Sequence, residues 1–120
     1  MSKKTLVVGA STNPSRYSFL AINSLRRHGH PVVGLGLRTG KVADLEIVKE
    51  KIIYSDIHTV TLYVGPQNQP MYFDYIEQLK PKRVIFNPGT ENPVFENRLK
   101  DAGIDVEVAC TLVLLSTGQY

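Results

Sequence analysis

The sequence has no tryptophan and a single cysteine, Cys110. One cysteine excludes an internal disulfide and, with it, the small disulfide-stapled folds; the expected setting is a reducing, cytoplasmic one. No apolar run approaches the roughly 20 residues that a membrane-spanning helix requires, so no membrane partner is expected. The first apolar segment is short and ends in Gly9, which is not the pattern of a signal peptide. Neither sign of charge dominates. Fourteen Lys and Arg against eleven Asp and Glu leave a formal charge of +3, compatible with an anionic ligand and too weak to call for nucleic acid. The short basic runs Lys3-Lys4 and Lys80-Pro81-Lys82-Arg83 read as solvated entries to strands. The histidines and Cys110 are scattered without metal-ligand spacing, and no nucleophile sits beside a base. No metal ligand and no catalytic residue is therefore assigned. Repeats and low-complexity tracts are absent too.

What is present fits one α/β domain over residues 1–120. A domain of this size buries roughly two-thirds of its unfolded surface, enough for a core without staples. Short β-branched runs alternate with amphipathic ones. Strands are predicted at residues 4–9, 31–37, 59–64, 84–86 and 104–108, with a short one over Glu46-Ile47-Val48. Helices are predicted at 17–28, with Phe19, Leu20, Ile22 and Leu25 inward, and at 71–79, with Tyr72, Ile76 and Leu79 inward. A third runs from Pro93 to Gly103, with Phe95, Leu99 and Ala102 inward. The apolar tail Leu112-Val113-Leu114-Leu115 reads as a short packing helix. Such alternation indicates a single Rossmann-like, open and mainly parallel sheet of about five strands with helices on both faces. In that architecture the loops 9–16, 34–41, 64–69 and 87–92 leave the same edge.

The first of these loops carries the strongest signal. Thr5-Leu6-Val7-Val8 is a buried strand that runs through the small residues Gly9-Ala10-Ser11 toward a helix beginning near Tyr17. A strand that passes through small residues into a helix leaves backbone N–H groups at the helix mouth, where the dipole favours an anion, most often a phosphate. Gly9 allows the tight turn and a close ligand approach. Ser11 and Asn13 offer side-chain donors, and Arg16 offers a planar cationic fork suited to phosphate oxygens. The plainer alternative is a tight strand-to-helix turn with no ligand. The second loop contains Arg38 and Lys41 where a NAD-binding fold places an acid for the ribose hydroxyls. That favours a phosphorylated ribose, as in NADP or the 3′-phospho-ADP part of coenzyme A; the alternative is a solvated basic loop. Glycines at 34 and 36 mark a place where another group packs closely. His28, His30 and His58 read as structural or solvated.

Taken together, Gly9-Ala10-Ser11, Asn13-Pro14, Arg16, Val64-Gly65-Pro66, the turn Asn87-Pro88-Gly89-Thr90-Glu91-Asn92 and Cys110 resemble the small stand-alone CoA-binding proteins. These are similar to the N-terminal CoA-binding domain of the succinyl-CoA synthetase α subunit. The resemblance spans residues 4 to 111, and nothing in the chain supplies the nucleotide-grasp domain of the synthetase. It implies that Gly9, Ala10 and Ser11 with Arg16 hold the phosphates of coenzyme A or an acyl-CoA. It also implies that Arg38 or Lys41 lies near the ribose phosphate or diphosphate. Val64, Gly65 and Pro66 would line the adenine side, and Asn87, Pro88 and Gly89 would close the rim. Cys110 has two readings, a small buried apolar residue or a rim-facing thiol that meets the thiol of bound coenzyme A.

Three functions compete. The first is a coenzyme A or acyl-CoA binding module without chemistry of its own. The second is a small NADP-dependent oxidoreductase, against which stand the short chain and the departure from Gly-x-Gly-x-x-Gly spacing. The third is a nucleotide-binding subunit whose tail at 112–115 docks on a second copy or on a larger acyl-CoA-using enzyme.

Overall fold

A computed structural model describes residues 2–120. Its elements in chain order are β1 (Thr5–Val8), α1 (Tyr17–Arg27), β2 (Val32–Leu35), β3 (Gly40–Val42), β4 (Leu45–Val48), β5 (Thr59–Leu62), α2 (Phe73–Leu79), β6 (Arg83–Phe86), α3 (Pro93–Asp101), β7 (Asp105–Val108) and α4 (Thr111–Ser116). Two 3-10 turns, Pro66–Asn68 and Pro70–Tyr72, lead into α2. The strands form one seven-stranded sheet in the order β3-β4-β2-β1-β5-β6-β7. Every pairing is parallel except β3 with β4. No helix among the described residues is long and apolar enough to cross a membrane.

The middle strands are buried on both faces, which is why they read as continuous apolar or β-branched runs. Their period of two divides the core. Leu6, Val8, Val60, Leu62, Val84 and Phe86 pack under α2 and α3. Phe95 of α3 stacks on Phe73 with ring centres 4.1 Å apart and meets Phe86 edge-on at 5.8 Å. Val7 and Ile85 point the other way, toward Ile22 and Leu25 of α1, Leu115 of α4 and Tyr120. α3 starts with a reciprocal cap. The Asn92 side chain accepts from Phe95 N at 3.3 Å, and Glu96 accepts from Asn92 N at 2.9 Å.

The sheet has seven strands rather than about five. The additions are β3 and a full β4, which form a hairpin with Val42 opposite Leu45. Its turn, Ala43-Asp44, places the non-glycine Ala43 at φ 53°, so the glycine that usually announces such a hairpin is missing. Arg83 is not a solvated strand entry: it opens β6 and is 9 % exposed. Its Nε donates to Thr59 Oγ1 and its Nη1 to Glu107 Oε1, while Tyr120 covers it with the ring centre 4.5 Å from the guanidinium carbon. Leu20 and Ala102 face outward, not inward. In the tail, Leu115 is buried and Leu114 packs beside it on the protein's own sheet. Leu112 is half-buried and Val113 stays exposed.

Candidate functional site

The chain runs from β1 to β2 on one side and later to β5 on the other, so the strand order reverses at β1. The crevice above the carboxyl end of such a strand is where open α/β sheets place their ligands. The loops after β1, β2, β5 and β6 leave this edge together, as the parallel registers require. The segment from Lys49 also starts here, since β4 runs parallel to β2. Sequence reasoning did not place it, because a strand hidden in a hairpin gives no directional signal.

Gly9 stands at φ 91°, and a Cβ there would lie 2.8 Å from the carbonyl oxygen of Tyr63. Only glycine lets the first loop cross the end of β5 so closely. The amides of Gly9 and Ala10 are not free, as the sequence reading expected: both donate to Leu35 O at 2.9 Å. The donors left over lie further along. Ser11 N, Thr12 N, Tyr17 N, Ser18 N and Phe19 N make no hydrogen bond among the described residues. Ser11 Oγ accepts from Asn13 N, and Asn13 Oδ1 accepts from Ser15 N and Ser15 Oγ, so both side chains shape the loop. The hydroxyl hydrogen of Ser11 and the Asn13 amide nitrogen remain at the surface. α1 begins at Arg16 with no side-chain cap and no acid in its first turn. Its positive dipole end is thus unopposed within the chain.

Glycines in β2, just after it and in β3 seat this loop. Gly34 faces the Cβ of Ala10, Gly36 lies against the Ala10 carbonyl, and Gly40 lies against the Thr12 side chain. The group expected to pack closely there is the protein's own first loop. Arg16, Arg38 and Lys41 are exposed and form no ion pair among the described residues. Lys41 lies within β3 opposite Glu46 rather than in a loop.

On the other side of β1, Val64 and Gly65 are half-buried and Pro66 is exposed. Pro88 and Gly89 are exposed, with the Gly89 amide donating to Glu91 Oε1. Asn87 is different. It is 2 % exposed, and its side chain donates to Thr61 Oγ1 and Leu62 O and accepts from Thr111 N. It ties β5, β6 and α4 together and has no polar hydrogen left for a ligand. Cys110 is half-buried at the carboxyl end of β7, immediately before α4. The neighbouring Tyr63 phenol oxygen is buried without a partner, and burial pushes its pKa up to about 12. Gln69, which the sequence did not single out, is wholly buried between the loops after β5 and β6. It sits among polar residues and prolines with no periodicity to betray it. Shallow grooves lie beside Lys100 and Val106 and between Lys51 and Tyr75, lined by no residue of the first loop.

A family model described as a CoA binding domain matches residues 3–116. The chain belongs to this CoA-binding family. Among solved structures, this CoA-binding family member is similar to one titled only as an uncharacterized protein. The two are 46 % identical with a TM-score of 0.98, and the match covers 100 % of this chain and 99 % of the other. A protein from Thermus thermophilus, called cell-free ID.343, is 25 % identical with a TM-score of 0.85 over 99 % of this chain and 91 % of its own. A hypothetical protein from Pyrococcus horikoshii OT3 is 25 % identical with a TM-score of 0.86 over 97 % and 83 %. A search of curated proteins gave no match.

Proposed function

We propose that this protein binds coenzyme A or an acyl-CoA at the carboxyl edge of the sheet, with the diphosphate at the mouth of α1, and performs no catalysis of its own. The observation that carries the reading is the uncapped start of α1 above the reversal of strand order. Unpaired amides of Ser11, Thr12 and the first turn of α1, with no acid in that turn, offer donors to an anion. Membership of the CoA-binding family supports the choice among anions. The exposed Arg16 and Arg38 supply cations on the same edge, with Lys41 further back on β3, and the small residues at 9–11 let a ligand approach the backbone. In this reading Val64, Gly65, Pro66, Pro88 and Gly89 line the side of the rim beyond β5.

Thermal shift and calorimetric titration test it with coenzyme A, acetyl-CoA, NADP, NAD and AMP. A ligand that binds only the native state raises the melting temperature with its concentration. Coenzyme A or acetyl-CoA is expected to stabilise at micromolar concentration, ahead of NAD and AMP. Stabilisation by NADP with none from coenzyme A would overturn the proposal in favour of a dinucleotide enzyme.

A further inference from the structure

Between the loops after β5 and β6 lies a side chain that touches both. Gln69 is 0 % exposed, although its neighbours Gln67 and Asn68 are exposed. Its Nε2 donates to Val64 O at 2.9 Å and to Thr90 O at 2.7 Å. Its Oε1 accepts from Asn92 Nδ2 at 3.0 Å. Two carbonyl oxygens on one side can face only the NH2 group, so chemistry fixes the orientation of the amide. Asn92 in turn caps α3 through Phe95 N. A buried primary amide is costly unless its donors and acceptor are used, and here both hydrogens and the oxygen are. The Asn87 side chain joins the strand ends, at Thr61 and Leu62; Gln69, with Asn92 donating to it, spans the β5 and β6 loops and holds backbone carbonyls of both, at Val64 and Thr90.

We propose that Gln69 is a positioning residue: it sets the separation of the segments 64–66 and 87–90, and thereby the width of the rim that coenzyme A occupies. This rests on the coenzyme A reading above. Gln69 touches no ligand. It acts through the carbonyls it holds, which keep Val64-Gly65-Pro66 and Pro88-Gly89 in one relation to the first loop.

The experiment uses the full chain and Gln69→Glu. The substitution keeps the shape and the acceptor toward Asn92 but sets a carboxylate against two carbonyls. Burial raises the pKa of that carboxyl, and once protonated it regains one O–H donor. Coenzyme A is titrated into wild type and variant at about pH 8.5 and about pH 6, on either side of the range in which a buried carboxyl titrates. The ratio of variant to wild-type Kd is expected to be about tenfold or more at the higher pH and about threefold at the lower. Hydrogen exchange in segments 64–66 and 87–90 is expected to accelerate together. Asn92→Ser, which keeps an α3 cap but removes the donor to Gln69, is the second variant and covers a failure of the first to fold; about threefold weaker binding is expected. A variant that melts lower yet binds coenzyme A as wild type does, with a ratio indifferent to pH, would reduce Gln69 to a purely structural role and overturn the proposal. Failure of wild type to bind coenzyme A is a separate result that sinks the parent reading. Exchange then decides the rest: unchanged exchange at either loop in the variants overturns the positioning role of Gln69 as well.

Discussion

Replacing Gly36 by alanine should damage the site, and replacing Gly29 by alanine should not. A Cβ on Gly36 would overlap the carbonyl oxygen of Ala10, stand 3.3 Å from its carbonyl carbon and lie 3.0 Å from Ile47 Cγ2. The obstacle is backbone, so no rotamer change relieves it; the first loop must lift off β2. Overpacking of this kind costs about 1–3 kcal/mol. The Gly9 and Ala10 amides, held by Leu35 O one residue away, would move with the loop. At Gly29, φ is 82° and nothing lies within 4 Å of the added atom, so only backbone strain is felt, about 1–2 kcal/mol. The two variants therefore lose comparable stability in urea melts. In calorimetry they should part, with coenzyme A affinity falling about tenfold for Gly36→Ala and staying within about twofold for Gly29→Ala. Equal affinities for the two, at whatever stability, would refute the claim that β2 seats the binding loop.

Arg16→Ala is expected to weaken coenzyme A binding by about threefold to tenfold with little change in melting temperature; an unchanged Kd would remove Arg16 from the site. Tyr120→Phe should cost about 1 kcal/mol, because the phenol donates to Thr5 Oγ1, whose own hydrogen is spent on Lys3 O. Tyr120→Ala should cost about 3–5 kcal/mol for the lost ring over Arg83, read in urea melts, and a change below about 0.5 kcal/mol would show that the tail is not docked. His30 is held below its usual pKa by burial first and by Lys3 next, and His58 by burial first and by Arg83 next. For each the unfolded chain binds its proton at higher pH than the native one does. Stability is therefore whole above about pH 6.5 and falls as the solution is acidified below it. Melting temperatures at pH 8 and at about pH 5.5 check this, and a protein that gains stability toward acid contradicts it. The structural cause at His30 is plain: Nδ1 accepts from Lys3 N, and a proton placed there would meet an N–H.

Legibility followed burial. β1, β5 and residues 84–86 of β6 were readable because a parallel strand covered on both faces is mostly apolar or β-branched. α3 was readable because Asn92, Pro93 and Gly103 mark its ends locally. β3 was not, since Gly40-Lys41-Val42 offers one apolar residue and pairs with a neighbour through a turn lacking glycine. Arg83 misled for another reason. Its partners Thr59, Glu107 and Tyr120 are distant in sequence, so a buried arginine looked like one more member of a basic run. The first loop was located correctly on the chain, but its hydrogen-bond account was not. The acceptor of the Gly9 and Ala10 amides is a carbonyl on β2, which no local pattern reveals. Asn87 was singled out as a rim residue and instead turns its amide inward, because three polar groups from other elements converge there.

The helix starts on this edge differ in a way that favours α1 for the proposed anion. α3 fills its own N-terminus with Asn92 and Glu96. α2 carries Asp74 in its first turn and is approached through 3-10 turns. The first amide of α4, Thr111 N, donates to Asn87 Oδ1. At each of these the chain supplies its own acceptor or negative charge. α1 and α4 both lack a capping side chain of their own and an acid in the first turn, but Asn87 reaches across to fill the start of α4, so among the described helices α1 is the one left without an acceptor. An uncapped helix start costs about 1 kcal/mol relative to one with a good cap. In the proposed complex a phosphate would take the place of the missing side chain and offset that deficit, so part of its affinity would be the capping energy that the sequence of α1 omits.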